Sequence, residues 1–234
     1  MSLSKAALLL VACVFVMVSL TSPNPPARKD DQVEAQKTQK GITTRGAYIS
    51  QSLPLITFIL ESLAIFAYYS PTNPVATLLL NLTSVKDTTI LQRPSALFYF
   101  GLFFLGLSAY IRSRCYQELG KHFTFEVTLL DNHKLITTGP YSVVRHPSYT
   151  ACYTLTAGFV SVWISEASWL WGSGFWSRAW GQIIFAAWVF WWSRVLIALT
   201  ARVWKEDQLL KKQFGKEWVE WEKKVPWKIF PGLF

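Results

Sequence analysis

Cysteine is scarce and unpatterned in this chain: Cys13, Cys115 and Cys152 are odd in number and none stands in a C-x-x-C pair. Neither a disulfide framework nor a zinc site is indicated, and no metal is expected. Acidic residues fall short of basic ones, 14 against 23, leaving a formal net charge of +9. No G-x-G-x-x-G string is present, so the dinucleotide fingerprint is missing. No nucleophilic triad can be recognised either. Within 234 residues there is no room for a soluble domain of normal size beside the apolar runs.

What the chain has in excess is apolar and aromatic sequence, 51% hydrophobic with 12 Trp, too much for an average soluble domain. The expected fold is all-α, an integral membrane protein of about five transmembrane helices, each needing roughly 20 residues to cross the hydrocarbon. The basic residues border apolar spans rather than forming a soluble basic face. Their counter-charge is therefore the anionic surface of a lipid bilayer, and no nucleic acid is expected.

The first apolar run, Ala6 to Leu20, lacks a small-x-small cleavage pattern downstream and reads as an uncleaved span rather than a signal peptide. A polar connector follows from Pro23 to about Gly46, with almost nothing apolar to bury. The second span covers about Leu53 to Tyr69 and carries Glu61 near its middle. An ionisable group at that depth is costly in lipid, so it should face the protein interior and bond between helices. Val75 to Leu82 is too short to cross. The third span runs from about Ser95 to Ile111, the fourth from about Tyr149 to Ile164, and the fifth from about Trp180 to Thr200. Between the last two lies a turn with Trp169, Trp171 and Trp176, whose indoles suit the headgroup level. The chain divides into N-terminal spans and connectors, 1–94, and a core of three spans, loop and tail, 95–234.

Basic residues orient this layout. With the tail in the cytosol, only Lys5, Lys86, Arg93 and Arg178 of the 23 Lys and Arg lie on the opposite side, as the positive-inside rule requires.

The stretch His133 to Tyr149, HKLITTGPYSVVRHPSY, gathers two histidines, Lys134, Arg145 and two tyrosines between apolar runs. Gly139 and Pro140 mark a turn. Pro147 can open the next helix, whose N-terminal amides and dipole would favour an anionic group. An ordinary basic juxtamembrane loop would carry the same features. In the tail, Trp204, Leu210, Phe214, Trp218, Trp221 and Val225 form an apolar stripe at helical spacing. Arg202 and Glu206 are four apart on nearly one helix face, on the same side of the membrane as the histidine-bearing loop.

The loop string followed by a span pair, then Arg202-x-x-x-Glu206, Phe214-Gly215-Lys216-Glu217-Trp218 and Val225-Pro226, resembles the isoprenylcysteine carboxyl methyltransferase family over roughly the last 120 residues. The resemblance implies methyl transfer from S-adenosyl-L-methionine to the C-terminal carboxylate of a prenylated cysteine on membrane-associated proteins. It places His133, Lys134, Leu135 and Ile136 in a first cofactor-binding segment, Tyr141 as a single contact, and His146, Pro147, Ser148 and Tyr149 in a second. Glu206 matches an acidic cofactor contact and Arg202 a substrate-binding arginine, the two forming the catalytic pair. Glu126 falls at a further cofactor-binding position, where the family can present Gln, and Ala151 stands where Gly is often found. The location implied is the endoplasmic reticulum membrane, with the site facing the cytosol.

The inventory agrees with that chemistry. A C-terminal carboxylate has a pKa near 3.5, so it is already a nucleophile at neutral pH and no general base is needed. Three alternatives share parts of the pattern. A phospholipid amine N-methyltransferase would use the same cofactor but needs a neutral amine, for which Arg202 is a poor partner. An NADPH-dependent sterol reductase relative would bind a dinucleotide. A non-catalytic membrane adaptor would bind no cofactor.

Overall fold

A computed structural model describes residues 2–25, 44–70, 72–83, 85, 94–120, 123 and 134–234. Glu126, His133 and most of the connector between Pro23 and Gly46 lie outside the described residues. The regular elements among the described residues are all helical: α1 (Ser2–Leu20), α2 (Thr44–Tyr68), α3 (Pro74–Thr83), α4 (Ala96–Leu119), a 3-10 turn (Gly139–Ser142), α5 (Pro147–Ile164), α6 (Trp169–Gly172), a second 3-10 turn (Phe175–Ser177), α7 (Ala179–Phe214) and α8 (Lys216–Lys224). Four helices among the described residues are long and apolar enough to cross a membrane: Leu3–Leu20, Tyr48–Tyr68, Ala96–Leu119 and Ala179–Phe214. The chain is an all-α integral membrane protein.

The fourth expected span coincides with α5, which is not among those four. Its sequence carries Ser148, Thr150, Thr154, Thr156 and Ser161, so it is less apolar than the others. It also buries Ala151, Leu155, Phe159 and Trp163 almost completely, and a helix shielded by protein needs less apolar surface than one bathed in lipid. Two helices run on beyond the expected spans. Helix α4 continues past Ile111 to Leu119, and α7 continues past Thr200 to Phe214. Hydrophobicity ends where the bilayer should, whereas backbone hydrogen bonding continues into the polar sequence beyond. Pro54 sits inside α2, and its own carbonyl accepts the Thr57 hydroxyl at 2.9 Å. Helix α3 begins with Pro74 at its first turn and a Val75 N–H donating to Asn73 Oδ1 at 2.9 Å, a side-chain cap for a free amide.

The chain forms two compact units. The first comprises Met1–Met17, Ser50–Leu107 and Thr154–Phe190. In its aromatic core Trp188 meets Phe159 and Trp163 edge to face, Phe185 meets Trp163 likewise and lies nearly parallel to Trp188, and Trp163 donates its indole N–H to the Thr57 hydroxyl at 2.9 Å. Glu61, expected to bond between helices, does so. It is 2% exposed and pairs with Lys5 of α1 at 2.5 Å, and it accepts the Trp169 backbone N–H at 2.9 Å. Lys5 also donates to the Ala167 carbonyl and lies over the Phe98 ring.

The second unit comprises Val18–Ile49, Ser108–Tyr153 and Trp191–Phe234. Here the last carbonyls of α1, which no helical N–H can reach, are taken up by side chains of α4. Arg112 Nε donates to Ser19 O at 2.9 Å, and the Tyr116 hydroxyl reaches Val18 O and, just past the helix, Thr21 O at 3.0 Å each. Ser108 joins Ser19 to the Ala151 carbonyl of α5. All three cysteines are free thiols and buried, Cys13 in the first unit and Cys115 and Cys152 in the second.

Breaking the Lys5–Glu61 pair from one side leaves a charge buried in an apolar interior. Lys5→Met or Glu61→Leu alone is expected to lower the unfolding free energy by about 3–5 kcal/mol, and the double substitution to recover most of it. Denaturant unfolding in detergent micelles measures all three; additive losses in the double variant would contradict this account of the pair.

Candidate active site

Three segments of the second unit build the site: the loop and turn from Lys134 to His146, the first turns of α5, and the polar end of α7. Gly139 takes φ +58°, and a Cβ there would meet the Glu118 carboxylate at 2.5 Å, so the turn requires glycine. Glu118 also accepts the Thr138 hydroxyl at 2.6 Å, which ties the turn to α4. Pro147 opens α5 as the sequence predicts. The amides ahead of it are not left for an anion, however. The N–H of Arg145 donates to Trp227 O at 2.9 Å and that of His146 to Lys228 O at 2.8 Å. The C-terminal segment thus forms a strap across the loop. Thr150 fastens it again through its hydroxyl to Ile229 O.

Because α7 runs on beyond Thr200, Arg202, Glu206 and Asp207 are displayed on a rigid helix. Glu206 is the hub. It accepts Arg202 Nε–H at 2.7 Å and the Tyr149 hydroxyl at 2.7 Å, and lies 3.3 Å from His146 Nδ1. The other ring nitrogen, His146 Nε2, meets Asp207 Oδ1 at 2.9 Å. Asp207 Oδ2 in turn receives Arg145 at 3.0 Å, and Arg145 donates as well to Val225 O and Pro226 O at 3.0 Å each. The His146 and Tyr149 rings stack in parallel, centroids 5.6 Å apart. Arg145, His146, Tyr149, Arg202 and Asp207 are each less than a tenth exposed.

The expected site residues thus fall into two groups. His146, Tyr149, Arg202 and Glu206 come together in one bonded cluster, and Pro147 and Ser148 open the helix beside it. Leu135, Ile136 and Tyr141 pack instead with Trp218, Trp221, Val225 and Cys115, while Lys134 is exposed. The Trp221 indole donates to the Tyr141 carbonyl at 3.2 Å. Arg145, whose guanidinium lies over the Trp218 ring at 5.7 Å, joins the two groups. The expected apolar stripe is not a single helix. Gly215, at φ +53°, breaks it, so Trp218 and Trp221 lie on α8 and Trp204 stands 52% exposed on α7.

Sequence reasoning missed Asp207, and it named Trp218 and Arg145 without foreseeing that they pack together beside the cluster. Two consecutive acids in an otherwise basic tail were the available signal.

Burial by itself lowers the His146 pKa, but hydrogen bonds and charge from Asp207 and Glu206 outweigh it and raise the pKa above the ordinary histidine value. Both ring nitrogens facing carboxylates suits the imidazolium, in which both are donors. This stabilisation is present in full below the unfolded histidine value of about 6.5 and is lost as pH rises through the higher folded value. Thermal unfolding of the wild type should therefore fall as pH is raised above about 6.5, and His146→Gln should show a flatter profile. Parallel profiles would refute the charged pairing.

Residues 101–212 match the profile of the isoprenylcysteine carboxyl methyltransferase family. That stretch includes the loop, Arg202, Glu206 and Asp207 and stops short of α8 and the strap. Protein-S-isoprenylcysteine O-methyltransferase B of Arabidopsis thaliana is 28% identical over 131 residues, 54% of this chain. The match spans little more than half of that relative's length, 56%.

Proposed function

The chain is related to the isoprenylcysteine carboxyl methyltransferase family through residues 101–212, and from that premise we propose that it uses S-adenosyl-L-methionine to methylate the C-terminal carboxylate of prenylated cysteine. The acceptors are membrane-associated proteins, and the site faces the cytosol from the endoplasmic reticulum membrane. The observation that carries this reading is the buried joining of Arg202 to the His146–Tyr149 segment through one carboxylate, Glu206.

The residues suit a cofactor with a sulfonium and polar ends. Glu206 supplies negative charge beside the stacked faces of His146 and Tyr149, and the Trp218 indole N–H is buried with no partner among the described residues. Glu206, Tyr149, His146 and the wall of Leu135, Ile136, Tyr141 and Trp218 would hold it, with Lys134, Pro147 and Ser148 at the margins. When bound, it supplies an electrophilic methyl group. Arg202 holds and orients the acceptor carboxylate: its Nε–H bond to Glu206 fixes the guanidinium plane, and a guanidinium matches a carboxylate with two parallel hydrogen bonds. His146 spends both ring nitrogens on Glu206 and Asp207, so it acts by holding Glu206 rather than by moving a proton. The acceptor is already ionised at neutral pH, and alignment with exclusion of water is the remaining task. A prenyl chain explains a membrane setting, since each buried CH₂ contributes about 0.8 kcal/mol.

Purified protein supplied with labelled S-adenosyl-L-methionine should form a base-labile methyl ester on a farnesyl-cysteine analogue and none without acceptor. Transfer to phosphatidylethanolamine alone would replace this reading with lipid amine methylation. Arg202→Ala should reduce turnover by about 100-fold or more, the scale of removing one positioned transition-state contact, while cofactor binding is largely retained. His146→Ala should weaken cofactor binding instead. Calorimetry and steady-state kinetics separate the two, and the reverse pattern would overturn both roles.

A further inference from the structure

The strap has a second side that the methyl-transfer chemistry does not use. Lys228, whose backbone carbonyl holds the His146 amide, lays its ammonium 3.7 Å from the centroid of Trp204 and 4.9 Å from that of Phe234. Those two rings meet at 63° with centroids 5.9 Å apart. Among the described residues, no carboxylate lies within ion-pair distance of Lys228. Around it, Trp204 is 52% exposed, Trp227 38% and Leu233 85%, and the neighbouring Lys205 is also exposed.

This composition fits one environment. Trp204 lies one helical turn beyond Thr200, where the apolar run ends and α7 should leave the hydrocarbon. Indole rings partition to the headgroup level there, and a lysine beside them extends its amine towards phosphate while its stem stays on apolar surface. Lys228 is partly exposed, and an aromatic face holds an ammonium less strongly than a full opposite charge does, so an anion can draw it away. We propose that Lys228, braced by Trp204 and Phe234, is a headgroup site for an acidic phospholipid, with the lysine receiving the phosphodiester and Leu233 meeting the acyl chains. The next strap bonds inward are those to the Arg145 and His146 amides, so an occupied site stiffens the loop that carries them.

The proposal goes beyond methyl transfer and does not depend on it. The full chain in micelles is titrated with phosphatidylglycerol, with phosphatidylcholine, or with inorganic phosphate, and thermal unfolding is followed. Phosphatidylglycerol should raise the wild-type midpoint by several degrees; Lys228→Gln should lose most of that shift and Lys228→Arg should keep it. Phosphatidylcholine and inorganic phosphate should give no shift that depends on Lys228. A full shift in Lys228→Gln, or an equal Lys228-dependent shift with inorganic phosphate, overturns the site. On the unaltered protein, a photoreactive acidic lipid should label residues 201–205 or 226–234; labelling confined to other segments overturns it as well. Neither readout requires turnover, so failure here is distinct from failure of the proposed reaction.

Discussion

Two neighbouring carboxylates, Glu206 and Asp207, are kept inside the second unit, and each must be neutralised there because a buried unpaired charge is intolerable. Arg202 and His146 serve the first, His146 and Arg145 the second. Glu118 and the packing of Tyr141 secure the turn at Gly139 and Pro140, and the rest of the loop takes its course from Arg145 and His146. Leaving α7 would strip Asp207 of both Arg145 and His146 and would leave Glu206 only Arg202, the guanidinium on its own helix. The histidine, shared by both acids, is the point through which this constraint passes. The C-terminal strap adds main-chain bonds to the same two loop residues, so charge and backbone agree on one register.

The first unit solves a related problem with different means. Lys5 and Glu61 would each be costly facing lipid, and each is acceptable because the other is there. The Trp169 amide and Ala167 carbonyl supply the remaining partners, which draws the tryptophan-rich turn into the same arrangement. In both units polar groups are absorbed by pairing rather than by exposure, as a low-dielectric setting demands.

The long helices were legible because their apolar runs had about the length of a crossing, and the loop between Gly139 and Pro147 because those residues punctuate a chain for steric reasons. The Arg202–Glu206 pair was legible too, since a spacing of four puts both on one face. Helix ends were not: nothing in the composition of Arg112–Leu119 or Arg202–Phe214 distinguishes a continuing helix from a new one. Asp207 was hidden for a different reason. It lies about 100° round the helix from Glu206, where an acid looks solvated, and only the packed position of Arg145 and His146 shows that it points inward. Lys5 as the partner of Glu61 is likewise a matter of which helices meet, and hydropathy carries no record of that.

The free thiols give the molecule an unused reporter. Cys13 is enclosed in one unit, Cys115 and Cys152 in the other, and all three are withheld from solvent. A water-soluble alkylating reagent can reach them only when the surrounding structure opens. The rate at which mass is added to each cysteine therefore clocks the breathing of one half of the protein against the other, with no engineered probe and no change to its chemistry.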